Sequence, residues 1–208
     1  MKIGVYGGTF NPPHLGHVTA ARAVSELLKL DKLLFIPAGL PPHKPLPEGT
    51  PSPEQRLEMT RLAAEQTGLG DRVETLDLEI LREGRSYTSE TLELLRQQYP
   101  DDELWLLMGT DMFLTIQTWH DPASIFELAG IAAFGRTEED TEELFAVQRD
   151  RCLLHGAAAG SGRGKGRHAA AAGGVWLYPA PLALWDPRGS QASAAEPAAA
   201  GGSELSEV

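Results

Sequence analysis

The sequence predicts an α/β fold: a doubly wound parallel sheet with crossover helices. Three observations carry that expectation. Short apolar runs suited to buried strands alternate along the chain with longer segments of helical periodicity. The first apolar run, Ile3-Gly4-Val5-Tyr6, empties into a glycine loop that leads directly to a helix. A later run, Leu104-Trp105-Leu106-Leu107-Met108, is almost wholly apolar, as a central parallel strand must be.

The elements follow in order. Residues 2–6 read as a buried strand. Residues 15 to about 30 read as a helix with Val18, Ala21, Val24, Leu27 and Leu28 on one face. Residues 32–38 form a second apolar strand, and the proline-rich stretch 39–51 cannot continue as helix. Ser52 as N-cap, Pro53 at the first helical position and Gln55 at the third make a capping box. That helix runs to about Thr67, with Gly68 marking its end. Residues 73–81 read as a third strand, and Thr88 or Ser89 caps a helix reaching about Gln98. After the fourth strand come a short helix at 112–118, a fifth strand at 131–134 and a charged helix at 138–151. In such sheets ligands bind at the carboxyl ends of the strands.

With 208 residues the chain can form one α/β domain with a substantial core. Its formal net charge of −11 lies wholly in residues 1–154, because the remainder holds four basic and four acidic side chains. An acidic domain is a poor partner for nonspecific nucleic-acid binding. It can still bind a polyphosphate, for which local geometry and Mg²⁺ outweigh net charge. The single cysteine, Cys152, excludes an internal disulfide and a cysteine metal cluster. Neither a signal-peptide pattern nor a run of about eighteen apolar residues is present, so the expectation is a soluble, cytoplasmic chain.

After about Leu154 the text changes character. Residues 156–174 are low-complexity Gly/Ala text, and residues 190–208 are rich in Ala, Gly, Ser, Glu and Pro. Such text has too few apolar side chains to offset its ordering entropy, which predicts a disordered tail. Between them Val175-Trp176-Leu177-Tyr178 suits a short strand, while Pro179, Pro181 and Pro187 argue against more. The expected organisation is a domain over residues 1–154 and a tail over 155–208.

Several residues stand where chemistry is expected. His14 and His17 are three apart at a helix start, so both imidazoles lie on one face. The free N–H groups and positive end of that helix attract anions, and the two rings can meet the same phosphates. Gly7 and Gly8 let the backbone approach a ligand closely. Lys44 is a compact positive charge suited to a polyphosphate, or else a solvated loop lysine. Arg56 suits a salt bridge as well as a function. Thr88 and the N–H groups beside it can bind a carboxylate, and can equally be a simple cap. Gly109 allows close backbone approach, and Asp111 is placed to accept ribose hydroxyls.

The segment His14-Leu15-Gly16-His17 resembles the His-x-Gly-His signature of the nucleotidylyltransferase superfamily. The longer string from Gly7 to His17 is similar to its nicotinate-nucleotide adenylyltransferase branch, and the resemblance covers roughly residues 1–150. It implies a Rossmann-like fold. It implies transfer of AMP from ATP to nicotinate mononucleotide, giving nicotinate adenine dinucleotide and pyrophosphate in NAD biosynthesis. Gly7, Gly8, Thr9, Phe10, Gly109 and Asp111 would bind ATP, with ordinary packing as the other reading of Phe10. His14 and His17 would contact the ATP phosphates and stabilise charge on the α-phosphoryl group and the leaving pyrophosphate. His43 and Lys44 match a Pro-Pro-His-Lys/Arg element that contacts phosphate, which groups Lys44 with the two histidines as catalytic. Tyr87 and Thr88 match a Tyr-Thr element that reads the nicotinate carboxylate. Trp119 matches a tryptophan that stacks on the pyridine ring, with packing as its other reading. These last two elements favour nicotinate nucleotide over pantetheine phosphate or glycerol phosphate as acceptor.

The attacking phosphate oxygen is already ionised at neutral pH, so catalysis needs positioning and electrostatics rather than a general base. The implied cofactor is Mg²⁺ arriving with ATP, with no metal site in the protein. The implied partners are ATP and nicotinate mononucleotide, without nucleic acid or membrane; monomer and homo-oligomer both stay open. One family signature is missing, an Ile-Ser-Ser-Thr-x-x-Arg string near the C-terminus that opens a phosphate-holding helix. Ser161-Gly162-Arg163 and Arg188-Gly189-Ser190 lack its strand–helix context. A shift of reading frame near residues 153–155 would produce such a change of text, as would a divergent lineage. Two further readings remain: a nucleotidylyltransferase with another acceptor, such as nicotinamide mononucleotide, and a catalytically inactive chain that retains nucleotide binding.

Overall fold

The computed structural model describes residues 1–42, 45–135 and 175–178. Within them run β1 (Lys2–Gly8), α1 (Leu15–Leu28), β2 (Lys32–Pro37), α2 (Pro53–Glu65), a 3₁₀ turn (Gly70–Arg72) and β3 (Val73–Thr75). There follow α3 (Thr88–Gln98), β4 (Glu103–Gly109), α4 (Thr110–Thr115), a second 3₁₀ turn (Ile116–Thr118), α5 (Pro122–Leu128), β5 (Gly130–Phe134) and β6 (Val175–Tyr178). The strands form one sheet in the order β3-β2-β1-β4-β5-β6, and every neighbouring pair is parallel. This is the doubly wound, Rossmann-like fold that the alternation predicts.

The pleat sorts the strand side chains between two faces. Val5, Ile36, Leu106 and Met108 join Leu92 and Leu95 of α3, Phe113 of α4 and Ile125 of α5. Tyr6, Phe35, Leu107 and Phe134 join Ala20, Ala21 and Val24 of α1 and Ala64 of α2. Both faces are therefore covered, as a parallel sheet requires. Each fully buried leucine, such as Leu92 or Leu95, contributes about 1.5–3 kcal/mol relative to exposure. The strand order reverses between β1 and β4, which leaves a crevice at the carboxyl ends of those two strands.

Some boundaries differ from the sequence reading. β1 continues through Gly7 and Gly8, which pair with Ile36 and Pro37 in the ladder, so the two glycines end a strand rather than form a loop. The third strand stops at Thr75. The amides of Ile80 and Leu81 both donate to the carbonyl of Asp77, at 2.9 and 3.0 Å, and turn the chain away from the sheet edge. Leu27, placed on the buried face of α1, is exposed at 45%. The predicted capping box of α2 is present: Ser52 Oγ accepts from the Gln55 amide, and Gln55 Oε1 accepts from the Ser52 amide. Helix α3 instead starts after Tyr87, with Thr88 already its first residue. The Ser89 hydroxyl is engaged with His120 Nδ1 at 3.1 Å, not with a cap. Helix α5, which the sequence reading omits, carries its signal in Asp121-Pro122: the Asp121 carboxylate accepts from the Ser124 amide, and proline takes the first helical position. β6 is the short strand expected at residues 175–178; it pairs with β5 and falls within the stretch assigned to the tail. The charged helix at 138–151, Cys152 and the low-complexity text on either side of β6 lie outside the described residues.

Candidate active site

A cavity of about 1160 Å³ occupies the switch point of the sheet. One wall is the end of β1 and the start of α1, where Gly7, Gly8, Thr9, Phe10, His14 and His17 all line it. The opposite wall carries Ser86, Thr88, Gly109, Asp111 and Trp119. Residues more than a hundred positions apart are thus gathered by the crossover topology.

The histidine wall is built locally. His14 is the N-cap of α1 in extended backbone, and its carbonyl accepts from the His17 amide at 2.9 Å. His17 Nδ1 accepts from the His14 amide at 3.1 Å. That acceptor role requires Nδ1 to be unprotonated, so the neutral ring carries its proton on Nε2. The two ring centroids lie 3.8 Å apart, one imidazole against the other. Gly16 makes this packing feasible, since a Cβ there would sit 2.9 Å from His14 Cε1. On its other side the His17 ring meets Phe10 edge-on at 5.1 Å. Phe10 is buried among Tyr6 and Phe35, and its φ of 46° holds the loop in the left-handed region. The packing reading of Phe10 holds, and the residue also lines the cavity. Gly7 has open space where a Cβ would stand, so a ligand can approach its backbone.

Helix α1 directs its N-terminal N–H groups and positive end at this wall, with no acidic side chain in its first turn to neutralise it. Asp111 lies in the first turn of α4, just after Gly109 caps that helix. Thr110 is buried and its hydroxyl donates to the Phe134 carbonyl at 3.2 Å, tying α4 to β5.

On the opposite wall, Thr88 opens α3 and Trp119 follows the second 3₁₀ turn. The indole of Trp119 is half-buried, and its Nε1 donates to Thr115 Oγ1 at 3.4 Å. Tyr87 is not among the lining residues; its ring stacks on His120 at 4.3 Å and joins the α3 start to the Trp119 segment. Pro41 and Pro42 line the cavity, while His43 and Lys44 lie outside the described residues.

Two residues matter here that the sequence reading leaves unassigned or undecided. Glu79 lines the cavity although it is buried, and burial pushes its carboxyl above the ordinary range against the opposing pull of the Thr91 hydroxyl, Arg82 and Ser86. Thr91 Oγ1 donates to it at 2.7 Å. Its sequence signal was a lone carboxylate inside Leu78-Glu79-Ile80-Leu81. Arg56 makes no salt bridge among the described residues; it is fully buried and donates to main-chain carbonyls. Desolvation pulls its guanidinium below the usual arginine range, with Glu54 opposing.

The family model for cytidylyltransferase-like proteins matches residues 5–162. The chain belongs to the cytidylyltransferase-like family. A Citrifermentans bemidjiense protein named "Probable nicotinate-nucleotide adenylyltransferase" is 44% identical over 137 residues, which is 65% of this chain and 61% of that protein. A protein of the same name from Shewanella sp. strain ANA-3 is 45% identical over 156 residues, covering 74% of this chain and 71% of that protein. The chain thus spans less than two thirds of the length of the first of these relatives. Among solved structures, the fold is similar to that of Plasmodium falciparum nicotinic acid mononucleotide adenylyltransferase complexed with NaAD, with a TM-score of 0.57 at 17% identity over 68% of this chain and 70% of that one. A putative nicotinate-nucleotide adenylyltransferase from Vibrio parahaemolyticus gives a TM-score of 0.53 at 23% identity, over 72% and 82%.

Proposed function

We propose that the chain is a nicotinate-nucleotide adenylyltransferase, joining nicotinate mononucleotide to the AMP part of ATP with release of pyrophosphate, in NAD biosynthesis. The observation that carries this reading is the pair of closely packed histidines at the positive end of α1, facing a cavity large enough for two nucleotides. The printed names of its relatives support the acceptor assignment.

In the reaction, a phosphate oxygen of the acceptor attacks the α-phosphorus of ATP. The bond from that phosphorus to the β-bridging oxygen breaks, and pyrophosphate leaves with the oxygen. No proton has to move. His17, held with Nε2–H as its donor, and His14 beside it offer N–H groups to the charge that builds on the phosphates. The α1 amides act in the same sense without any reorganisation. Lys44 would add a point charge from the loop after β2. Thr88 and the α3 amides would donate to the nicotinate carboxylate, and Trp119 would stack on the pyridine face. Asp111 would take the ribose hydroxyls.

Mg²⁺ would enter with the ATP phosphates. Among the described residues Glu79 and Asp111 are the only carboxylates on the cavity wall, and no group of three His, Cys, Asp or Glu side chains able to hold a metal occurs. That donor set fits an ion held by phosphate and water. Among the described residues no helix is long and apolar enough to cross a membrane; the proposed substrates, soluble nucleotides, are what support a cytoplasmic location. The test is pyrophosphate release by the full chain with ATP·Mg²⁺ and each mononucleotide in turn. Release with nicotinate mononucleotide, and much less with nicotinamide mononucleotide, is the expected result. Absence of release with either would remove the assignment.

A further inference from the structure

Arg56 belongs to α2, a helix that contributes no residue to the cavity wall among the described residues. Its side chain nevertheless reaches the backbone of that wall. Nη1 donates to the Thr9 carbonyl at 2.7 Å and to the Ala38 carbonyl at 2.6 Å, and Nη2 donates to the Gly39 carbonyl at 2.9 Å. Thr9 follows β1; Ala38 and Gly39 follow β2. One planar guanidinium therefore fixes three carbonyls from two loops. Among the described residues no carboxylate pairs with it. Glu54 acts on it only through space, since that carboxylate accepts from the Ser52 hydroxyl at 2.7 Å. A buried cation facing neutral carbonyls, with its Nε unpartnered, is a costly way to stabilise a fold. It is an effective way to set the separation of two loops.

The second loop is held from its other side as well. The Ser86 hydroxyl accepts from the amides of Gly39 and Leu40 at 3.0 and 3.3 Å, and the Ser86 amide donates to the Leu40 carbonyl at 2.9 Å. Ser86 stands two residues before Thr88 at the acceptor wall. At Gly39 a Cβ would collide with the Glu79 carbonyl, so the strap has no slack there. A continuous chain of bonds thus runs from Thr9 on the nucleotide side, through Arg56 and Gly39, to Ser86 on the acceptor side.

We propose that Arg56 is a positioning residue that locks the loops after β1 and β2 into one unit and, through Ser86, fixes the spacing between the nucleotide and acceptor halves of the site. The kinetic consequence rests on the adenylyl-transfer reading; the mechanical one does not. In-line attack needs the acceptor phosphate at a set distance from the α-phosphorus, and an error of about 1 Å costs about a hundredfold in rate.

The test compares the full wild-type chain with Arg56→Lys. Lysine keeps the charge, but one nitrogen cannot span three carbonyls. Exchange of the amides at residues 8–10 and 38–40 should accelerate together by about tenfold or more, while β4 and β5 exchange at the wild-type rate. Turnover should fall by about a hundredfold, with the KM values for ATP and acceptor moving by less than about threefold. Ser86→Ala is the milder second variant, for use whether or not Arg56→Lys folds. It frees Gly39 from the opposite side and should loosen residues 38–40 first and residues 8–10 through Arg56. Acceleration confined to one loop, or spread evenly over the whole sheet, would overturn the proposal, as would unchanged turnover in Arg56→Lys. If the wild-type chain releases no pyrophosphate, the functional reading fails, and the exchange comparison still decides the clamp.

Discussion

At the β1–α1 end of the cavity the wall is a single stretch of chain, residues 7–17, backed by the buried side chains of Phe10 and Arg56. At the other end, Thr88 and Trp119 come from separate segments. There the supports are half-exposed: the Ser89–His120 hydrogen bond, the Tyr87–His120 stack and the Trp119–Thr115 contact. A rigid wall suits the group transfer, where the phosphates must be placed accurately, and a softer wall suits recognition of a ring and a carboxylate. Substitutions at the first end should therefore fall on kcat, and those at the second on acceptor KM and selectivity.

The sharpest way to break this comparison is His17→Ala. On the proposed mechanism it removes a donor to charge developed in the transition state, so kcat should fall by about 10²–10³-fold while both KM values change little. Steady-state kinetics with ATP·Mg²⁺ and nicotinate mononucleotide read it directly. A pure KM effect would mean that the histidine wall binds without catalysing.

Trp119→Ala probes the softer end. Loss of aromatic stacking costs about 1–3 kcal/mol. The acceptor KM should rise about tenfold to a hundredfold, with kcat and the ATP KM near wild type. An equal rise in the ATP KM would show that the two ends are not separable. Thr88→Val goes to selectivity. On the proposed reading it removes one polar partner of the carboxylate and leaves the α3 amides, so the expected preference for nicotinate over nicotinamide mononucleotide should narrow by about tenfold. A ratio of specificity constants that does not move would take Thr88 out of the acceptor site.

How much of this was legible in the sequence follows the same division. The histidine wall is local: glycines, cap and both imidazoles occupy one string, and the spacing of His14 and His17 alone puts the rings on one face. The capping box of α2 was equally local. Arg56 was not legible because its partners are main-chain carbonyls, one of them 47 residues away, and every residue has a carbonyl. The fall of β3 at Thr75 was hidden for a related reason. Residues 76–81 keep a strand-like composition, and only the turn closed on the Asp77 carbonyl diverts them. Tyr87 shows what a string leaves out: it places the residue beside Thr88, and the stack of its ring on His120 comes only from the fold.

The smallest expected effect concerns Glu79, which lines the same cavity, buried and above its ordinary pKa range chiefly through desolvation. A carboxyl whose folded value is raised binds more protons in the folded chain than in the unfolded one. Its neutral form costs nothing extra at acid pH, below the unfolded value. As pH rises through the folded value, the charged form is disfavoured by burial and stability is lost. Glu79→Gln removes that titration and keeps an oxygen able to accept from the Thr91 hydroxyl. The variant should therefore match wild type in thermal midpoint at acid pH, and exceed it at neutral and alkaline pH by about 2–4 °C at most. A midpoint difference that stays constant across pH would mean that Glu79 is paired well enough to be ionised without penalty, and that Arg82 rather than burial governs it.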